Sequence, residues 1–312
     1  MVRVSVVIPV FNGAATVARA IDSALAQHFA GEFEVIVVND GSTDSTAAVL
    51  DTYRTQITVV DQNNSGLAAA RNAAIRVAKG EYIALLDADD IWMPGKLEAI
   101  SAVLDRMPTV VLAYSDAIPV DDADAALAGS FVGAEFAHAP SMEELLSRWW
   151  PILPSAVVMR REAVEACGGF CEEFRRAYED VYFWLLMRER GEFAYVAKPL
   201  LRYRTTPIIE RMEKYEFDYK SFERSVHERY GARARGLVRR TRAAYVSALG
   251  YRGLVAMNRG DVAASRRYLA RALRYQPLHL KTGLRLLRTF LPAPIARALT
   301  GRTRDLPADQ RG

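Results

Sequence analysis

The sequence predicts an α/β fold, a mostly parallel sheet flanked by helices, followed by an all-α C-terminal extension. Three observations carry that prediction. Over residues 1–115, apolar runs of strand length alternate with amphipathic stretches of helix length, the signature of parallel strands joined by right-handed crossovers. From Ile209 to near residue 300 the pattern is helical throughout. The charge divides in the same region: residues 231–312 hold 18 Lys or Arg against 3 Asp or Glu, about +15, which leaves about −11 for residues 1–230 of a total of +4.

Taken in order, Val4–Val10, Phe33–Val38, Ile57–Val60, Tyr82–Leu86 and Val110–Tyr114 read as strands. Between them Ala14–Gln27, Ser45–Tyr53, Leu67–Ala78 and Lys96–Arg106 read as helices. Residues 116–153 are irregular, with a helical patch at Met142–Trp150. A strand at Ala156–Arg160, a helix at Arg161–Cys167 ended by Gly168-Gly169, a buried helix from Val181 and an edge strand at Leu200–Thr205 complete the α/β part. With 312 residues and 51% hydrophobic content the chain can bury one large core and one smaller one. The division expected is 1–208 for an α/β domain, 209–300 for a basic helical domain, and 301–312 for a polar, disordered tail.

Two cysteines four residues apart, Cys167 and Cys171, have no second pair or nearby histidines to complete a metal site, and suit a reduced, cytoplasmic setting. The apolar start, Met1–Val10, is too short to span a bilayer and reads as a strand. No window offers eighteen uninterrupted apolar residues, so any membrane contact is expected to be peripheral, at the inner face.

Candidate chemistry gathers where strands end. Asp87, Asp89 and Asp90 follow directly on the fourth strand, ahead of Pro94 at a helix start. Carboxylates at the C-terminal edge of an α/β sheet face the region where such sheets bind ligands. Crowded hard oxygens suit Mg2+ or Mn2+ shared with a substrate diphosphate; a solvated loop capping the next helix suits the same residues. Asp40, after the second strand in Asn39-Asp40-Gly41-Ser42-Thr43-Asp44, can accept hydrogen bonds from a base or sugar, or serve as a turn aspartate. Arg71, one turn into the third helix, favours an anion there, or is solvated. Glu179 and Asp180 precede Val181-Tyr-Phe-Trp-Leu-Leu-Met-Arg. Beside an apolar wall of Phe183 and Trp184, Asp180 can take a proton from a hydroxyl, a contribution of typically ~10²–10⁴ in rate, or the two acids can cap the helix.

Five stretches in order together resemble family 2 glycosyltransferases, inverting nucleotide-sugar enzymes of GT-A fold, which implies a Rossmann-like nucleotide-binding half to the sheet. They are Val4-Ser-Val-Val-Ile-Pro-Val-Phe-Asn12, Glu34-Val-Ile-Val-Val-Asn-Asp-Gly-Ser-Thr-Asp44, Asn64-Ser-Gly-Leu-Ala-Ala-Ala-Arg-Asn72, Leu85-Leu-Asp-Ala-Asp-Asp-Ile-Trp-Met-Pro94, and Gly168-Gly-Phe170 with Tyr178-Glu-Asp180. The resemblance spans about residues 4–205 and implies roles. Pro9, Phe11 and Asp40 would hold the base, Arg71 would help hold the nucleotide, and Asp87 and Ala88 would face the diphosphate. Asp89, with Asp87 beside it, would bind the metal; Asp180 would be the base, with Glu179 and Trp184 towards the acceptor. One departure is Asn39, where the family usually has an aspartate. The implied activity is metal-dependent, inverting, hexosyl-type transfer from a nucleotide sugar, UDP-linked by preference. The acceptor would be a hydroxyl of a saccharide or a lipid-linked molecule, in cell-surface polysaccharide or glycoconjugate synthesis.

The rival readings are a sugar nucleotidyltransferase and a non-catalytic nucleotide-sugar-binding or scaffolding protein. The first wants a Gly-rich, basic phosphate loop after the first strand, which Pro9-Val-Phe-Asn-Gly-Ala14 lacks. The second leaves Asp87, Asp89 and Asp180 without a task. In the tail, Leu254–Pro277 resembles a single helix-turn-helix of tetratricopeptide type, which needs a neighbour to bury its face. Its arginines suit an anionic membrane surface, an anionic polysaccharide or a second subunit. Nucleic acid is not expected, since no reading motif or interleaved aromatics accompany the charge.

Overall fold

The structure, a computed structural model, describes residues 1–127, 129–205, 208–278 and 280–291, with only the backbone for 208–216. The expected tail 301–312, and the helical reading of residues 292–300, lie outside the described residues.

The first half is built from β1 (Val2–Val10), α1 (Val17–Leu25), β2 (Glu32–Asp40), α2 (Thr46–Asp51), β3 (Thr58–Gln62), α3 (Leu67–Val77) and β4 (Tyr82–Leu85). These strands pair in parallel, with β1 between β2 and β4, and β3 outside β2. Alternation along the strands sends Val4, Val6, Ile8 and Val10 to one face, where they meet Val17, Ala20, Ile21 and Ala24 of α1. The opposite face receives α3, whose Ala68, Ala69, Ala70, Ala73 and Ala74 are all buried. Small side chains let that helix lie close to the sheet, which places Arg71 directly behind the strand ends.

The second half adds β5 (Ile91–Trp92), α4 (Lys96–Arg106), β6 (Val110–Val120), α5 (Met142–Ser147), β7 (Val157–Arg160), α6 (Arg161–Ala166), α7 (Glu179–Arg188) and β8 (Glu192–Arg204). The complete sheet has eight strands in the order β3-β2-β1-β4-β7-β6-β8-β5. Strand β7 runs antiparallel to both β4 and β6, while β6 and β8 are parallel. The sheet is therefore parallel on the β3-β2-β1-β4 side and mixed beyond it.

Three elements differ from the sequence expectation. Strand β6 continues past Tyr114 to Val120, through the polar Ser115-Asp116. Asp116 can sit in a buried stretch because its carboxylate accepts from the backbone N–H groups of Ala117 and Val132 and from Ser130 Oγ. Strand β8 starts at Glu192, well before Leu200, and its pairing with β6 shifts register three times, so no clean period of two marks it. The two-residue β5 pairs with β8 at Leu201 and Arg202 and is too short to leave a sequence pattern.

Helices α8 (Ile208–Tyr230), α9 (Arg235–Asn258), α10 (Val262–Tyr275) and α11 (Leu280–Arg288) follow. The chain divides into two compact units. Among the described residues, one holds those up to 205 with 217–238; the other holds 208–216 with those from 239 to 291. In the second unit the end of α9 and α10 form a hairpin through Gly260, whose φ of 81° is left-handed, and Asp261, which caps α10 by accepting from Ala264 N. Ser265 Oγ donates to Gly253 O across the pair. The tetratricopeptide likeness rests on that hairpin shape alone. No described helix is long and apolar enough to cross a membrane.

Candidate active site

Four loops meet at the C-terminal ends of the parallel strands, stitched by side-chain to backbone bonds. After β1, Asn12 takes a left-handed φ of 52°, and its Oδ1 accepts from Thr43 N while its own N–H donates to Ser42 Oγ. Gly13 N donates to Thr46 Oγ1 and Ala14 N to Asp44 Oδ2. Phe11 is left half exposed at this rim, while Pro9 is buried in the strand. Asp40, at the end of β2, is buried and accepts from Gln62 Nε2, Ser65 N and Gly66 N at 2.7–2.9 Å. It thereby fixes the loop that starts α3. Asn39 donates from Nδ2 to Asp61 Oδ1 on the neighbouring strand at 2.9 Å. An aspartate there would face Asp61 with like charge, which accounts for the amide at this position.

Arg71 is the centre of the arrangement. Its side chain is 0% exposed; Nη2 donates to Asp87 Oδ1 at 2.8 Å and Nη1 to Glu179 Oε1 at 3.0 Å. The ring of Phe170 lies 5.3 Å from the guanidinium carbon. One buried cation thus ties the end of β4 to the start of α7, two segments far apart in sequence. Next to it, Asn72 clasps the Phe170 backbone, accepting from its N–H at 2.8 Å and donating to its C=O at 2.9 Å.

The three aspartates after β4 separate into different environments. Asp87 is partly exposed and its N–H donates to Ser155 Oγ. Asp89 is exposed at the rim, and its backbone carbonyl accepts from Arg204 Nε. Asp90 turns inward, buried, and accepts from Arg204 N at 2.9 Å. Burial, then the charges of Asp89 and Asp87, push its carboxyl well above the ordinary range. Below it, Lys96 is fully buried and donates to Ala156 O, with burial lowering its pKa to about 7. Asp90 and Lys96 therefore hold the loop from inside, and Asp87 and Asp89 face outward.

At the opposite wall, Glu179 and Asp180 open α7. Glu179 is buried against Arg71; burial, then the charge of Asp180, lifts it to about 7. Asp180 is partly exposed, and its Oδ1 accepts from Val181 N at 2.7 Å. Burial raises its pKa and Arg71 opposes the rise. Trp184 does not reach the rim: it is 2% exposed and its indole donates to Ile152 O. Trp184 lies on the same helix face as Asp180, one turn on, and packing beneath Ile152 takes its indole into the core rather than to the opening expected for an acceptor contact. Glu179 likewise faces Arg71 rather than the opening.

Sequence reasoning missed the groups that hold this wall in place. Asp218 of α8, buried, accepts through Oδ2 from the N–H groups of Arg176 and Ala177 at 2.7 and 2.9 Å. Phe222 stacks on Tyr178, ring centres 4.5 Å apart. Tyr178 has a φ of 69°, rare for a non-glycine residue, and directly precedes Glu179. No local signal marks these residues, since they lie about 40 positions away in a helix of mixed composition.

Among the described residues no three His, Cys, Asp or Glu side chains converge to cage a metal. The donor set at the rim, Asp89 with the partly exposed Asp87, instead fits a hard divalent cation held by one or two carboxylates and completed by substrate phosphates and water.

The family model of glycosyl transferase family 2 matches residues 5–168, more than half of the chain. The chain belongs to glycosyl transferase family 2. A glycosyltransferase of Rickettsia prowazekii, itself uncharacterized, is 41% identical over 104 residues, which cover 33% of this chain and 32% of that protein. A chondroitin synthase of Pasteurella multocida is 29% identical over 198 residues, 62% of this chain and 20% of the synthase. The chain thus matches about a third or less of the length of these relatives. S. aureus TarS 1–349, solved in complex with UDP, superimposes with a TM-score of 0.55 and 18% identity, covering 98% of this chain and 94% of that one. This likeness shows the GT-A fold. The glycosyltransferase family match takes in four of the five recognised stretches and ends at residue 168, before Glu179 and Asp180.

Proposed function

We propose that this family 2 glycosyltransferase moves a hexose from a nucleoside diphosphate, UDP by preference, to a hydroxyl of a saccharide or lipid-linked acceptor, with inversion. The observation that carries the reading is Arg71. A guanidinium buried between Asp87 and Glu179 fixes the donor-side carboxylates at a set distance from the acceptor-side ones. Support for UDP comes from the fold relative TarS, whose structures include complexes with UDP and UDP-GlcNAc. Support for a polysaccharide product comes from the chondroitin and hyaluronan synthases among the relatives.

In this reading Phe11 and the loop organised by Asp40 receive the base, and Pro9 backs that loop from within the strand. Asp40 has three hydrogen bonds of its own, and about four acceptor positions in all, so one stays available to a base or ribose. Asp89 and Asp87 would hold Mg2+ or Mn2+, with the Ala88 backbone between them. The cation would neutralise charge growing on the departing diphosphate. Asp180 accepts the proton of the acceptor hydroxyl, whose oxygen forms the new bond to the anomeric carbon. The bond from that carbon to the diphosphate oxygen breaks, and the electron pair leaves with the nucleotide. Attack opposite the leaving group inverts the centre. Arg71 keeps Asp87 in place, and its positive charge favours the ionised form of Asp180.

The test is a screen of nucleotide sugars for diphosphate release, with Mg2+, Mn2+ or excess chelator. Release with a UDP-sugar that stops in chelator is the expected result. Turnover unchanged by chelator refutes the metal role, and release confined to non-uridine donors refutes the preference for UDP.

A further inference from the structure

Helix α11 displays its apolar side chains on the outside. Leu280, Leu284 and Leu287 follow the i, i+4, i+7 spacing of one helical stripe, and are 76%, 56% and 66% exposed. Phe290 and Leu291, in the turn that follows, are exposed as well. The side that packs inward carries Thr282 and, past the helix end, Thr289, both buried. At 100° per residue the leucine stripe lies opposite those threonines. Lys281, Arg285 and Arg288 share the flank between the two. A helix that packs through threonines and turns leucines to water has the reverse of the usual arrangement, and the stripe is a surface for a partner.

Charge selects the partner. Residues 239–291, the part of this unit from α9 to the end of the described chain, hold 12 Lys or Arg against one Asp or Glu, so the leucines belong to a strongly basic unit. A second copy of the chain would bring the same basic flank against itself across a two-fold interface. An anionic polysaccharide would match the positive charge and leave the leucines in water. Anionic phospholipid matches both features, since the net positive charge is drawn to the headgroup phosphates and the acyl boundary takes the stripe.

We propose that α11 is an in-plane membrane helix that seats the enzyme on anionic bilayers, with Leu280, Leu284 and Leu287 in the acyl boundary and Lys281, Arg285 and Arg288 at the phosphates. This inference is independent of the donor and acceptor assigned above, because its readout is partitioning. The test is sedimentation of the full chain with vesicles of one part phosphatidylglycerol to two parts phosphatidylcholine, and with pure phosphatidylcholine. The wild type should pellet with the mixed vesicles and bind pure phosphatidylcholine at least about tenfold more weakly, with binding reduced by salt. Leu284→Glu with Leu287→Glu should lower partitioning about 100-fold, and Arg288→Glu about tenfold. Both leucines are exposed, so unchanged thermal melting is expected and separates lost binding from lost fold. Three results overturn the proposal: wild type that stays in the supernatant with anionic vesicles, a double variant that pellets like wild type, or a vesicle-free dimer that the double variant dissociates.

Discussion

Asp218→Ala tests whether a residue outside the recognised stretches positions the catalytic wall. Asp218 gives one carboxylate oxygen to the N–H groups of Arg176 and Ala177, in a buried setting. A hydrogen bond to a charged group is worth about 1.5–3 kcal/mol. The two bonds share an oxygen and do not add fully, so truncation should cost about 3 kcal/mol. Against this stands the left-handed Tyr178, at φ 69°, which costs roughly 1–2 kcal/mol for a residue with a Cβ. The clamp outweighs the strain by only about 1–2 kcal/mol. Without it the turn should relax and displace Asp180. A shift of about 1 Å in a reacting group costs on the order of 10² in rate, so kcat should fall about 100-fold with the donor KM nearly unchanged. Asp218→Asn keeps an acceptor oxygen and should lose about half as much stability, with a kcat between the two. Diphosphate release gives kcat and KM, and urea unfolding gives the stability change. A destabilised Asp218→Ala enzyme with wild-type kcat would refute the positioning argument.

Other expectations concern the residues that Asp218 supports. Asp180→Asn should retain donor binding by calorimetry and lose about 10²–10⁴ in transfer; near wild-type transfer removes it as the base. Arg71→Met leaves Asp87 and Glu179 as uncompensated neighbours and should cost about 3–5 kcal/mol by urea unfolding, whereas a loss under about 1 kcal/mol speaks against the bridge. Burial raises Asp180 and lifts Glu179 to about 7. A base works ionised, so kcat/KM should be full at higher pH and fall on acidification, with a midpoint above the ordinary aspartate value near 4; a profile flat down to about pH 4 contradicts this. Between the ordinary glutamate value near 4.3 and about 7, the folded chain holds the Glu179 proton that the unfolded chain has released. Its contribution to stability therefore falls as pH rises through that window, and Glu179→Gln should flatten that part of the stability curve.

The parallel half of the sheet was readable because each of its strands contains a short apolar run and is followed by a loop with glycine or aspartate. β6 and β8 were read short for the opposite reason. Their polar residues are neutralised by partners from distant loops, as Asp116 is by Val132 and Ser130, and no local pattern announces that. In the site, the carboxylates and Arg71 were legible as residue types in ordered motifs. Their pairing was not, because Arg71 and Glu179 are 108 positions apart. The expectation for Trp184 followed from its neighbourhood in sequence, and the segment around Ile152 buries it.

By itself, the sequence determined the α/β class, the parallel strand ends, the membership in glycosyl transferase family 2 and the basic character of the C-terminal helices. Each is written in local composition and spacing, which a linear reading can follow. Tertiary structure alone decided which of Asp87, Asp89 and Asp90 face outward, that Arg71 joins the two walls, that Asp218 of α8 clamps the turn ahead of α7, and that the leucines of α11 point to solvent. These depend on burial and on contacts between distant segments. The same residue type is an exposed carboxylate or a buried strut according to what the fold brings against it, and Asp89 and Asp90 are adjacent in the chain yet differ in just this way.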